Sequence, residues 1–226
     1  MNVKLTPRLL KIAQLVRSGK RVCDIGTDHA YLPVYLIENG ICPSCVAADV
    51  AKGPLKSAEK TIEGCNLTDK ISTVLSDGFD NVSPDSFDDC VIAGMGGELI
   101  ADIIERADFL KDNNRKLILQ PMSSIFEMRY YLYHNGFTIT DAHIAAEGHR
   151  LYYIAEVIFK KQNEPFSEHF CPCLLKHMDK NEQKYLDLQL EKTKKIILGL
   201  EKTKNTDELE FMYQRFNFLK SIKEAL

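Results

Sequence analysis

Five short apolar runs, each broken at its carboxyl end by glycine or polar residues and each followed by apolar residues at helical spacing, limit this chain to very few folds. The runs are Val22–Ile25, Cys45–Asp49, Ile71–Leu75, Asp89–Ala93 and Lys116–Leu119. Continuous apolar stretches of this length suit strands buried on both faces, since neither face has to meet water. Helical spacing fills the gaps: Tyr31 to Asn39, ended by Gly40; Ala51 to Ile62; Leu99 to Ala107; and a helix capped by Ser123 or Ser124 that runs to Asn135-Gly136. Strand and helix in alternation predict a parallel sheet with helical crossovers. The pattern then changes. Phe137–Ala146 and Leu151–Phe159 are separated only by Glu147-Gly148-His149-Arg150, the length of a hairpin. The expected fold class is α/β, a mostly parallel seven-stranded sheet with an antiparallel strand at its far end.

Ahead of the first strand, Thr6-Pro7 predicts a helix start, with Thr6 as N-cap and Pro7 at the first helical position, and Gly19 stops it. Residues 1 to 23 hold Lys4, Arg8, Lys11, Arg17, Lys20 and Arg21; they form either a solvated helix face or a phosphate-contacting patch. Beyond the hairpin, Lys160 to Pro165 reads as a linker. The composition then turns to charged helix formers over Leu175 to Leu200, followed by Asn205 as N-cap with Glu208 completing a capping box, and by Leu209, Met212, Phe216, Leu219 and Ile222 at heptad-like spacing. Two domains are therefore expected: residues 1–160, and a coiled-coil-like antiparallel helical hairpin over 161–226. Lys176, Lys180 and Lys184 form a stripe that is either a solvated face or a nucleic-acid contact. The net charge of −3 argues weakly against a polyanionic partner, but a total hides its distribution. No apolar run has the length of a membrane span and the first residues do not read as a leader, so a soluble, cytoplasmic protein, monomeric and without membrane attachment, is expected. The seven cysteines suit reduced thiols better than a disulfide framework. Cys42-x-x-Cys45 with Cys171-x-Cys173 would be poorly spaced for structural zinc.

The strand ends carry the candidate chemistry. After the first strand, Asp24-Ile25-Gly26-Thr27-Asp28-His29 makes a tight polar corner of the kind that approaches a nucleotide at the carboxyl edge of an open parallel sheet. Gly26 lets the backbone come close, and the further glycines of a dinucleotide fingerprint are absent. Asp49, twenty-five positions after Asp24, stands where a carboxylate can accept both hydroxyls of a ribose. Asp77-Gly78 could meet an adenine amine and ring nitrogen, with Phe79 beside the ring. Gly94-Met95-Gly96-Gly97 should face the reacting end, because tight turning explains one glycine better than three. Asp28, His29, Gln120 and Pro121 are expected to converge on the same side. Taken singly, each acid is a turn former, and Asp28 or His29 could simply cap the following helix.

Asp-Ile-Gly-Thr-Asp-His-Ala-Tyr-Leu-Pro, Ala-Gly-Met-Gly-Gly and Leu-Ile-Leu-Gln-Pro, in this order and spacing, resemble the bacterial tRNA (adenine(22)-N(1))-methyltransferases, the TrmK family, over the whole chain. The resemblance implies a Rossmann-like class I methyltransferase, S-adenosyl-L-methionine as methyl donor, and tRNA as partner, methylated at N1 of an adenine in the D-arm. It makes Asp24, Gly26, Thr27, Asp49, Val50, Asp77, Gly78 and Gly94 the expected cofactor residues and Asp28, His29, Gly94 and Met95 the expected catalytic ones. No metal is carried over. A nicotinamide-dependent dehydrogenase would need the missing glycines. A non-catalytic RNA-binding protein would not need Asp49 and Asp77, whereas a methyltransferase acting on protein or a small molecule would keep every cofactor residue.

Overall fold

The computed structural model describes residues 3–161, 164–167, 174, 176–203 and 206–225. The chain divides into two compact units, Met1–Glu164 and Pro165–Leu226. The first unit runs α1 (Pro7–Leu15), β1 (Val22–Ile25), α2 (Tyr31–Glu38), β2 (Cys45–Asp49), α3 (Lys52–Gly64), β3 (Ile71–Leu75), β4 (Asp89–Gly96), α4 (Gly97–Glu105), β5 (Lys116–Ser123), α5 (Ile125–His134), β6 (Phe137–Glu147) and β7 (Arg150–Phe159). Its sheet has the order β3-β2-β1-β4-β5-β7-β6. Strands β1 to β5 run parallel to one another, and β7 is antiparallel to both β5 and β6. The antiparallel strand is therefore second from the edge and not at the far end. Strands β1 and β2 are buried along their whole length, which is why their sequences are apolar throughout and not alternating.

The departures from the expected elements have local causes. Thr6 caps α1, its side chain accepting from the Leu9 N–H, but the helix ends at Leu15 and not at Gly19. Arg17 turns to the buried carboxylate of Asp89 at the start of β4, its Nε lying 2.9 and 3.0 Å from the two oxygens and its backbone N–H 3.4 Å from one. Arg21 pairs with Asp88 at 2.9 Å. Hence the basic run is not one patch. Arg17, Lys20 and Arg21 belong to the amino-terminal edge of the strands, opposite the edge where β1 and β2 end. Strands β4 and β5 run on to Gly96 and Ser123, past the positions where turn residues predict a stop, with irregular pairing between Ala93 and Gly96. Ser124 precedes α5 at φ +50° and makes no capping bond through its side chain.

The second unit holds α6 (Lys180–Thr203) and α7 (Thr206–Glu224). Helix α6 starts at Lys180 because Asp179 caps it: its Oδ1 accepts from the N–H groups of Asn181 and Glu182 at 2.8 and 2.9 Å, while Glu182 accepts from Asp179 N–H at 3.1 Å. This reciprocal box satisfies donors that no intrahelical carbonyl reaches. Lys176 precedes the helix, so the proposed lysine stripe reduces to Lys180 and Lys184. The unit's Leu186, Ile197 and Leu219 are buried. The expected cap Asn205, the helix start at Leu175 and the Cys171/Cys173 pair lie outside the described residues. Among the described residues no helix is long and apolar enough to cross a membrane.

Candidate functional site

Because β1, β2 and β4 are parallel and in register, their carboxyl ends open on one edge, and the turn after β1 forms the floor of a cleft there. Arg8, Leu9, Asp24, Gly26, Thr27, Asp28, His29, Tyr31, Leu32 and Ala93 line it. The turn is held by Gly26 and Thr27, whose N–H groups donate to Ala48 O at 2.8 and 3.0 Å. Gly26, Asp28 and Ala30 all have left-handed backbone, φ +75°, +52° and +56°. Glycine takes this conformation freely and aspartate with tolerance, but for the fully buried Ala30 it costs on the order of 1 kcal/mol, strain of a kind that concentrates at functional sites.

Two acids stand side by side at this edge with different environments. Asp24 is buried, accepts the Thr27 hydroxyl at 2.7 Å, and has its carboxyl pushed up to about 6 by burial, with the hydroxyl bond and Arg8 opposing and Asp49 adding to the rise. Asp49 shares its two oxygens between backbone donors, Oδ1 with Ala51 N–H at 2.9 Å and Oδ2 with Asp28 N–H at 3.3 Å. Each oxygen retains a lone pair for a hydroxyl. Val50, next in sequence, is 67% exposed, an apolar side chain left beside that carboxylate.

Asp28 projects from the corner, with its carboxylate 67% exposed and 3.7 Å from His29 Nε2. Neither residue caps α2; Ala30 occupies that position without a side-chain bond. Instead His29 stacks on Tyr31, the rings 5.2 Å apart and 13° from parallel. Tyr31 is a site residue that the reading of strand ends missed, although the Asp-His-Ala-Tyr motif contains it. Arg8 is another. Its Nη1 donates to the fully buried Gln120 Oε1 at 2.5 Å and its guanidinium lies 5.6 Å from the Tyr152 ring centre, so α1 delivers a cation to the cleft and not to a surface patch. Gln120 reaches the cleft through Arg8. Pro121 is buried and does not line it.

The glycine-rich segment divides by residue. Gly94 has φ +84°, and a Cβ there would meet Arg8 Nη1 at 3.7 Å, facing the cleft. Met95 arches over the corner: its Cε lies 2.2 Å from where a Cβ on Gly26 would stand, so Gly26 is small for Met95 as much as for any ligand. Gly97 begins α4, and its absent Cβ would fall 2.0 Å from Ser124 O, which is internal packing. The expectation that all these glycines form a substrate-facing loop is corrected accordingly. Asp77 and Gly78 are not in the cleft lining. Arg106 pairs with Asp77 at 2.9 Å and with Asp80 at 3.0 Å, fixing the turn after β3. Phe79 does not stand beside a ligand ring, because it is buried against Phe87 and Phe109.

Residues 5–155 match the family model described as a methyltransferase domain. The Bacillus subtilis tRNA (adenine(22)-N(1))-methyltransferase is 35% identical over 150 residues, which span 66% of this chain and 63% of that enzyme. The chain belongs to this methyltransferase family. The crystal structure of B. subtilis TrmK, the m1A22 tRNA methyltransferase, is 29% identical and superposes with a TM-score of 0.86 over 98% of this chain and 99% of that one. Streptococcus pneumoniae Sp1610 in complex with S-adenosyl-L-methionine is 31% identical, with a TM-score of 0.81 over 97% and 99% of the two chains. These alignments include the helical hairpin as well as the sheet, so family membership extends over both units.

Proposed function

We propose that the protein transfers a methyl group from S-adenosyl-L-methionine to N1 of adenine 22, in the D-arm of tRNA. The observation that carries this reading is the cleft at the ends of β1 and β4, with the Asp49 carboxylate beside it, in a chain of this family. The donor fits the residues present. Asp49 has lone pairs for ribose hydroxyls and Val50 offers apolar contact. Asp24, Gly26, Thr27 and Gly94 hold the remainder; Gly94 has no Cβ to fill the space. When bound, the donor supplies a methyl group on a cationic sulfur.

Adenine N1 carries its lone pair in the ring plane and is nucleophilic when neutral, so the chain's task is alignment and not proton removal. N1 lies on the Watson–Crick edge, and the base has to leave its helix to react. The stacked His29 and Tyr31 rings offer a face for a displaced base. Asp28 stabilises the positive charge that grows on the ring as N1 becomes alkylated. Gly94 and Met95 close the opposite side of the corner.

The test is incubation of tRNA with the protein and methyl-labelled donor, followed by nucleoside mass spectrometry and primer extension. Labelled 1-methyladenosine with a reverse-transcription stop at position 22 is the expected result. Label in another nucleoside, at another position, or in protein or small molecules alone would overturn the substrate assignment.

A further inference from the structure

We infer that Cys42 and Cys45 form a two-thiol redox site, oxidised to a disulfide by small hydroperoxides, with Cys42 as the attacking thiol and Cys45 as the resolving one. The pair lies in the Cys42-Pro43-Ser44-Cys45 turn between α2 and β2, with the two Sγ atoms 3.2 Å apart. A disulfide requires about 2.05 Å, so small side-chain rotations of about 1 Å close the bond. The turn is pinned on both sides, which keeps the sulfurs together. Gly19 N–H donates to Ile41 O at 2.8 Å, Val22 N–H to Ser44 O at 3.1 Å and Cys45 N–H to Lys70 O at 2.9 Å.

The division of labour follows from the environments. The hydrogen bond from Cys45 draws the Cys42 thiol down despite burial, whereas the same bond and burial push Cys45 up. Cys23 and Cys90 are both pushed up by burial and so are poor nucleophiles. Cys42 is only 5% exposed and Cys45 3%, so any oxidant that reaches them has to be small. The Cys42 thiolate attacks one peroxide oxygen, the O–O bond breaks and hydroxide leaves, giving a Cys42 sulfenic acid. Cys45 then loses its proton and attacks the Cys42 sulfur; the S–O bond breaks, and the departing hydroxide takes up that proton as water. The net change is two thiols and one hydrogen peroxide to one disulfide and two waters.

The full-length reduced protein treated with hydrogen peroxide, quenched, unfolded in alkylating agent and cleaved at Glu38 and Asp49 yields a peptide containing Cys42 and Cys45 and no other cysteine. This peptide should be 2 Da lighter than its reduced form and unalkylated, and should take two labels after dithiothreitol. In Cys45→Ser, Cys42 should stop at the sulfenic acid and be trapped by dimedone. Two alkyl labels on this peptide under conditions that oxidise Cys65, a bridge from Cys42 to a cysteine other than Cys45, or no dimedone adduct on Cys42 in the variant would each overturn the inference.

Discussion

Gly97→Ala tests whether the glycine-rich segment at the end of β4 keeps space for a ligand or for the chain itself. A methyl group there would stand 2.0 Å from Ser124 O, 2.7 Å from Ser124 C and 3.0 Å from Ser123 O. An ordinary carbon–oxygen contact is more than 1 Å longer than the first of these, and all three atoms are backbone, so no side chain can swing aside. The start of α4 and the junction of β5 with α5 would have to part. Overpacking costs about 1–3 kcal/mol and sometimes more; backbone against backbone belongs at the upper end, about 3 kcal/mol after any gain in helix propensity is set against it. For a chain of this size that lowers the melting temperature by roughly 6–12 °C. Gly96→Ala is the internal control: its Cβ would sit 3.4 Å from the Ser123 hydroxyl, which can rotate, and φ is −65°. Its melting temperature should lie within about 2 °C of wild type. Calorimetric melts of the three proteins in one buffer decide the matter. A Gly97→Ala protein that melts with wild type, or no lower than Gly96→Ala, would refute the packing argument.

Asp49→Ala should weaken S-adenosyl-L-methionine binding at least tenfold by titration calorimetry with the circular dichroism spectrum retained; unchanged affinity would remove Asp49 from the site. Asp28→Asn should lower the single-turnover methylation rate about 10- to 100-fold with little change in donor or tRNA affinity, since one charge at ~5 Å in an effective dielectric of about 25–50 is worth ~1.3–2.7 kcal/mol. A wild-type rate would leave Asp28 without a catalytic part. Burial keeps Asp24 protonated up to a pH of about 6, so it becomes an anion only above that value. Donor affinity should therefore rise with pH through about 6 and lose that dependence in Asp24→Asn; a flat wild-type profile would show that the Asp24 charge does not contribute. Lys4→Glu/Lys11→Glu and Lys180→Glu/Lys184→Glu should each weaken tRNA binding and flatten its salt dependence, as counterion release requires. Equal binding by both pairs would mark the lysines as solvated side chains.

The sheet was readable because buried strands must be apolar: Cys45–Asp49 was bounded to the residue, as was the largely exposed edge strand Ile71–Leu75. Strand ends were harder where pairing overrides turn chemistry. Pro121 continues β5 despite its missing N–H, and Gly94 sits within β4 as an irregular pairing. The corner residues Asp24, Gly26, Thr27, Asp28 and His29 were legible together because one turn carries them all. Arg8 and Tyr31 were not. Arg8 enters the cleft only because α1 packs beside β6 and β7, a long-range contact with no local signature, and Tyr31 turns on a stacking angle with His29. Phe79 was misplaced because adjacency in sequence to Asp77-Gly78 does not say which way a ring points. The Asp179–Glu182 capping box was open to reading as Asp-x-x-Glu, yet helical spacing upstream drew the helix start too early.

The position of β7 between β5 and β6 has a consequence for the order of events during synthesis. A ribosome makes β6 before β7, but β6 has no partner in the sheet until Arg150–Phe159 exists. Until then β5 also presents an open row of backbone donors and acceptors, an invitation to pair with another chain. The nascent sheet can grow through β3, β2, β1, β4 and β5 and must then wait. When β7 emerges it closes two edges in one step, so the sheet completes late and all at once, while the second unit, from Pro165 onward, is the part still being made.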